Sequence, residues 1–383
     1  WCSACIRVAT TCHRHKSVTR IVLAMDTCTE PRHNSCNAFT KRSEPLGAVL
    51  IVAPSWVGDM VMAQSLFKVL KAQDPERAID VLAPGWTLAL LERMPEIREA
   101  IEMPMGHGQL RLLARHRLGA SLRASHYQQA ILLPNSFKSA LVPYWARIPV
   151  RTGFVGEKRQ WLLTDVRKLD RQRLPQTVQR FVSLGLPDGA ELREAVPEPA
   201  LLTDNENGHA ALQRLGLETG ERPVLALCPG AEFGPAKKWP ETYYAEVARC
   251  WLEKGWQVWL FGSVNDEAVC DRINAHADGE CENLAGQTRL EDAIDLLGMA
   301  SFVVTNDSGL MHVAAALQRP MVAIYGSSDP GFTPPLAETA QIERLGLDCS
   351  PCFKRECPLG HLDCLNKLLP ERVIASMEEV MKR

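Results

Sequence analysis

Ala48-Val49-Leu50-Ile51-Val52-Ala53-Pro54-Ser55-Trp56-Val57-Gly58-Asp59-Met60 reads as a buried strand, a short polar loop and the opening of a helix. The run 49–53 is apolar without alternation, as expected of a strand covered on both faces. Over 60–71 the pattern changes period, with Met62, Leu66, Val69 and Leu70 recurring near helical spacing. The same unit recurs outward from there. Strands are expected at 79–83 and 130–133, and helices at 86–93, 109–123 and 138–147. After a stretch rich in Pro, Gly and acidic residues (187–222, with one helix near 209–215) a second series begins. It has strands at 224–228, 257–261, 302–305 and 321–325 and helices at 242–253, 290–299 and 310–317. Strands alternating with helices imply parallel sheets with helices on both faces. Two such series in 383 residues imply an α/β chain of two doubly wound, Rossmann-like domains facing across a cleft. The expected domains are 46–198, a linker at 199–222, and 223–383.

Residues 1–45 carry no periodic pattern and are expected to be an extension outside the fold, poorly ordered or translated from a misplaced start. The apolar run 21–25 is too short for a secretory signal, and no stretch approaches the ~18 apolar residues of a membrane span. Residues 1–46 hold seven Lys or Arg against three Asp or Glu, which leaves 36 basic and 42 acidic side chains in the rest. An acidic body of this kind argues against nucleic acid as the main partner. Of thirteen cysteines, five lie in the extension, four are scattered through the second series and four cluster at Cys349, Cys352, Cys357 and Cys364. That is not the spread of a disulfide scaffold, so a reducing compartment is expected.

Three strand–loop–helix junctions carry chemistry. In the first, Gly58 permits close approach, and Asp59 at the helix start could take a proton from an attacking hydroxyl or merely cap the helix. The second, 228–240, sets Lys237 and Lys238 on a loop after a strand, where ammonium groups suit a departing diphosphate. A solvated lysine pair with Trp239 as core is the alternative. The third is Thr305-Asn306-Asp307-Ser308-Gly309-Leu310-Met311-His312. Ser308 and His312 share a helix face, and the Ser308 and Gly309 amides offer a phosphate unpaired donors at a helix N-terminus. A structural histidine is the alternative for His312, less expected one turn into a phosphate-facing helix. Gly262-Ser263 follows a strand where a ribose or base would rest, and Asn135, Ser136 and Lys138 follow another and could meet an anionic acceptor. Arg111, Arg115, Arg117 and Arg123 read as a solvated helix face or a patch for phosphorylated lipid. The chain has no G-x-G-x-x-G, no Walker A motif and no Asp-x-Asp, which disfavours a dinucleotide enzyme, a P-loop enzyme and a metal-clamped transferase.

Together, Ala53–Met60, the segments 133–140 and 228–240, and Thr305–His312 resemble glycosyltransferase family 9, the heptosyltransferases, in order and at family-like spacing from about Val49 onward. Met103–Gly108 and Arg151-Thr152-Gly153 fit as well. The resemblance implies the GT-B architecture and inverting transfer of L-glycero-D-manno-heptose from ADP-heptose to heptosyl-Kdo2-lipid A in lipopolysaccharide inner-core synthesis, with no cofactor. It places the reaction at the cytoplasmic face of the inner membrane, with peripheral membrane contact. Carried over by motif, Asp59 is the base and Lys237 binds the donor phosphate. Gly58, Gly262, Ser263, Asp307, Ser308, Gly309 and His312 surround the donor, and Thr288 lines the adenosine site. Asn135, Ser136 and Lys138 face the acceptor. Alternatives are a family 9 member acting at another core position, or a sugar-nucleotide epimerase of the same fold. The four clustered cysteines depart from the pattern. They could hold a structural zinc ion or remain reduced on a loop.

Overall fold

The computed structural model describes residues 47–105, 109–192, 196–218, 220 and 222–383, so expectations for 1–45 and for Gly106-His107-Gly108 lie outside the described residues. The first half of Glu44–Arg383 contains β1 (Val49–Val52), α1 (Val57–Gln73), β2 (Ile79–Pro84), α2 (Leu88–Leu91), β3 (Glu99–Met103), α3 (Leu112–Ser121), β4 (Gln129–Leu132), α4 (Leu141–Trp145), β5 (Val150–Phe154), β6 (Asp165–Arg167) and α5 (Thr177–Leu184). The second contains α6 (Asn205–Leu215), β7 (Val224–Cys228), α7 (Glu241–Glu253), β8 (Gln257–Leu260), α8 (Glu267–His276), β9 (Glu282–Asn283), α9 (Leu290–Met299), β10 (Phe302–Asn306), α10 (Gly309–Ala316), β11 (Met321–Ile324), β12 (Ala340–Glu343), α11 (Asp363–Asn366) and α12 (Pro370–Met381).

All pairings are parallel, and the sheet orders are β3-β2-β1-β4-β5-β6 and β12-β11-β10-β7-β8-β9. Counted from its own first strand, each half has the order 3-2-1-4-5-6, so the chain folds the same way twice. Strand order reverses between β1 and β4 and again between β7 and β10. Ligands of doubly wound sheets bind outside the carboxyl ends of the strands at such switch points. The central strands are buried on both faces, Val49, Leu50 and Ile51 completely, which accounts for their uninterrupted apolar sequences. Ala314, Ala315 and Ala316 are buried where α10 packs among the second sheet, α1 and α9, and larger side chains there would push it away from one of them.

The strands expected from the sequence are present, and β3, β5, β6, β9 and β12 are additional. These lie away from the sheet centres, and β3 leaves two of its five residues exposed, so their sequences lack the all-apolar signature. The expected linker is also revised. Asp204 caps α6 by accepting from the Glu206 and Asn207 amides, and α6 docks on α9 through Arg214–Asp292 (2.7 Å) and Asn207–Asp295 (2.8 Å). Residues 204–215 therefore belong to the second half. Residues 197–200 run along α1, where Ser65 Oγ donates to the Pro197 carbonyl (2.6 Å) and Gln64 pairs with both backbone groups of Ala200.

Candidate active site

The four loops at the two switch points are those singled out in the sequence: 53–59 and 133–140 after β1 and β4, and 229–240 and 307–308 after β7 and β10. Loop 53–59 turns directly into α1, whose N-cap is Trp56, with no side-chain cap. Asp59 is thus the third helical residue and does not cap, which removes the structural alternative offered for it. The N-terminus of α10 faces that of α1 across the cleft. A Cβ at Gly309 would lie 3.0 Å from Val57 Cβ, and one at Gly58 would lie 2.6 Å from His312 Cδ2. Gly58 thus sits in close approach to a buried ring, and a Cβ there would force one of the two to shift. Gly58→Ala is expected to force the helix ends apart and lower turnover by about 10²-fold, the scale of a 1 Å misplacement. Steady-state rates at saturating donor check this, and near-wild-type turnover would show that the two ends can separate freely.

Lys237 and Lys238 diverge. Lys237 Nζ donates to Asp307 Oδ2 at 2.5 Å and stands 5.1 Å from the centroid of Phe233, whereas Lys238 Nζ reaches Asp266 Oδ1 at 3.2 Å. Neither is a solvated surface lysine. The loop itself is pinned by Asn306, which accepts from the Trp239 amide (3.2 Å) and Tyr244 hydroxyl (3.0 Å) and donates to the Pro229 carbonyl (2.6 Å). Gly234 has φ 151°, and the Arg355 carbonyl packs where its Cβ would be. That carbonyl also accepts from the Ala236 amide (3.0 Å), so the cysteine-bearing tail braces the lysine loop.

Burial pushes the Asp59 carboxyl up to about 6. The Lys237 charge opposes this and the Asp307 charge reinforces it. Burial likewise holds His312 down at about 4, where Asp307 raises it and Lys237 lowers it further. At neutral pH His312 is therefore a neutral imidazole, able to donate one N–H but adding no charge. Asp59, Lys237, Asp307 and His312 thus form one interacting group drawn from both halves.

The model of glycosyltransferase family 9 (heptosyltransferase) matches residues 115–363. This chain is a family 9 glycosyltransferase. The lipopolysaccharide heptosyltransferase 2 of Salmonella typhimurium is 47% identical over 342 residues, covering 87% of this chain and 98% of its own length. That of Escherichia coli is 46% identical over 343 residues with the same coverage. The solved structure of the E. coli ADP-heptose LPS heptosyltransferase II superposes with a TM-score of 0.78 at 43% identity, covering 88% of this chain and 98% of its own. Membership decides for a transferase over the isomerase that the fold alone left open.

Asp59, Asn135, Ser136 and Lys138 line one cavity of about 610 Å³. Half-exposed Trp56 and Trp86 form part of its wall, and Trp86 Nε1 donates to the Ser55 carbonyl at 3.2 Å. The 133–140 loop is moulded around Arg159, wholly buried, whose guanidinium donates to the Ser136 carbonyl, Ser139 Oγ and Asn135 Oδ1. Arg115 is buried too and donates to the Lys138 carbonyl (3.3 Å), so it is no part of a solvated face; Arg111, Arg117 and Arg123 are exposed.

On the other side, Ser263 donates through both its amide (3.1 Å) and hydroxyl (2.9 Å) to Asp266 Oδ2, and Gly230 and Gly262 leave room for that carboxylate. Asp266 went unnoticed in the sequence, although Ser263-x-x-Asp266 is the spacing of a capping box. Thr288 lies farther along, between β9 and α9, with its hydroxyl on the Leu284 carbonyl (3.3 Å). Among the described residues no three His, Cys, Asp or Glu side chains are gathered as metal ligands would be, the four tail cysteines included. Cys357 instead receives the backbone N–H groups of Leu362, Leu359, Gly360 and His361, which lower its thiol pKa. Cys364 is half-buried, and burial together with the other three sulfurs raises its own. No helix among the described residues is long and apolar enough to cross a membrane.

Proposed function

We propose that this family 9 enzyme transfers L-glycero-D-manno-heptose from ADP-heptose to heptosyl-Kdo2-lipid A with inversion and without a metal ion. The observation that carries the reading is the approach of the two switch points at Gly58 and His312, which sets Asp59 against Lys237 and Asp307. The acceptor hydroxyl enters the cavity beside Asp59 and attacks the anomeric carbon from the face opposite the leaving ADP. Asp59, ionised above about pH 6, takes the proton in the same step. The departing diphosphate gains negative charge, which Lys237 and the Ser308 and Gly309 amides at the N-terminus of α10 stabilise. Asp307 keeps the ammonium aimed into the cleft, and an ammonium has three donors, so one can stay on Asp307 while others reach phosphate. Gly262, Ser263 and Thr288 are assigned to the nucleoside end. A single displacement needs no covalent intermediate and accounts for inversion. The acceptor's lipid would bring the enzyme to the cytoplasmic face of the inner membrane as a peripheral protein. The names of the similar proteins favour this acceptor over other core positions.

Purified enzyme with ADP-heptose and acceptors truncated at defined core positions tests the reading by ADP release and product mass. Release without acceptor, or transfer only to an acceptor lacking the first heptose, would overturn it. Because Lys237 and the amides are fixed before reaction, EDTA is expected to leave the rate within about twofold of that with Mg²⁺. A prompt loss restored by Mg²⁺, with circular dichroism unchanged, would defeat the metal-independent mechanism.

A further inference from the structure

The acceptor cavity holds more positive charge than its hydrogen bonds use. Its charged lining consists of Asp59, Glu157, Arg115, Lys138 and Arg180. Glu157 is occupied, accepting from the Phe137 amide at 2.7 Å. Arg115 is spent on backbone carbonyls. Among the described residues neither Lys138 nor Arg180 touches a carboxylate. Arg180, on α5, is held in place without being neutralised. Its Nε donates to the Leu174 carbonyl (3.0 Å) and one terminal nitrogen to the Pro175 carbonyl (3.0 Å). Its guanidinium lies 4.7 Å from the centroid of Phe332, a residue of the second half whose carbonyl accepts from the Thr177 amide at 3.0 Å. A partly buried guanidinium fixed on three sides and left without an anion is pre-organised for one, and carboxylate or phosphate is what its fork geometry fits.

We propose that Arg180 is a specificity-determining residue that, with Lys138, binds an anionic group of the acceptor next to the accepting sugar. The Phe332 contact makes this subsite a joint product of both halves. Two sources carry anionic oxygens that a guanidinium fork can bind: a carboxylate of the neighbouring keto-acid sugars and a phosphate ester on the accepting heptose. The proposal rests on the heptosyl-transfer reading above and fails separately from it. If unmodified enzyme releases no ADP in the presence of acceptor, that reading falls; if it does, the variants below test the subsite alone.

Arg180→Ala is expected to raise the acceptor KM by about 10–100-fold, as for loss of a charge-assisted hydrogen bond, with the ADP-heptose KM within about twofold of wild type. Arg180→Lys should recover part of the loss, and Lys138→Ala, which breaks no internal contact, should raise the acceptor KM by a smaller factor. Three acceptors identify the anion: heptosyl-Kdo2-lipid A, the same molecule phosphorylated on the heptose, and a form with its carboxylates methyl-esterified. A penalty for Arg180→Ala that vanishes with the esterified acceptor assigns the carboxylate. One that appears only with the phosphorylated acceptor assigns the phosphate. A penalty equal for all three, or donor and acceptor KM rising together, would show that Arg180 only holds the 174–175 turn and would overturn the proposal.

Discussion

Asp59→Asn is expected to lower kcat by about 10²–10⁴-fold, the usual worth of a positioned general base, with ADP-heptose affinity within about threefold of wild type. The amide keeps the size and position of the carboxylate and loses only its ability to take a proton. The wild-type profile carries a second signature. If Asp59 is the base and works ionised, its carboxyl pushed up to about 6 makes kcat/KM fall tenfold per pH unit below about 6. An ordinary carboxylate would place that limb near 4. The same shift has a consequence for stability. A carboxyl raised in the folded state above its unfolded value favours folding fully below 3.8 and loses that contribution as pH rises through about 6. Above pH 6 the native enzyme therefore keeps a buried charge at a cost, and Asp59→Asn should melt at a higher temperature there. An aspartate that is only a buried charge would give the same rise in melting temperature but leave activity nearly full. Measuring rate and melting temperature on one variant separates the two.

Lys237→Ala is expected to reduce kcat by about 10²–10³-fold, comparable to deleting a pre-aimed donor from a developing anion, and to raise the ADP-heptose KM as well. It should also destabilise the fold, because it strands Asp307, whose side chain is only 4% exposed. Breaking a buried pair from one side costs roughly 3–5 kcal/mol. The double variant Lys237→Ala/Asp307→Asn removes the stranded charge and should recover most of the melting temperature and none of the rate. Recovery of both would mean that Lys237 matters only as the partner of Asp307. Since the Lys237 ammonium lowers the Asp59 pKa, its removal should also move the acid limb of kcat/KM to higher pH. Lys238→Ala should do less, since its partner is Asp266.

Much of the fold was legible because β1, β2, β4, β7, β8, β10 and β11 are buried on both faces and their sequences are largely apolar, as in Val49–Val52 and Met321–Ile324. The four edge strands and β5 were not. β9 is two residues long and β6 three, too short for a periodic signal. Asn306 and Asp307 stood inside a legible motif, but only the folded chain shows one pinning Trp239 and Pro229 and the other holding Lys237. Arg159 gave no signal at all. An arginine is ordinarily read as surface, and its burial depends on carbonyls contributed by residues 134, 136 and 154. Arg180 and Phe332 were missed for the same reason, since the pair forms from residues 152 positions apart.

By itself the sequence determined the two strand–helix series, the four switch-point loops and the residue types set on them, because each depends on local periodicity and on chemistry carried within about a dozen residues. Tertiary structure decided what those residues do to one another. Asp59 acquires its raised pKa from burial and from the opposing charges of Lys237 and Asp307, and His312 loses its charge by burial under Gly58. Desolvation and Coulomb interactions depend on distance through space, and no spacing along a chain encodes that.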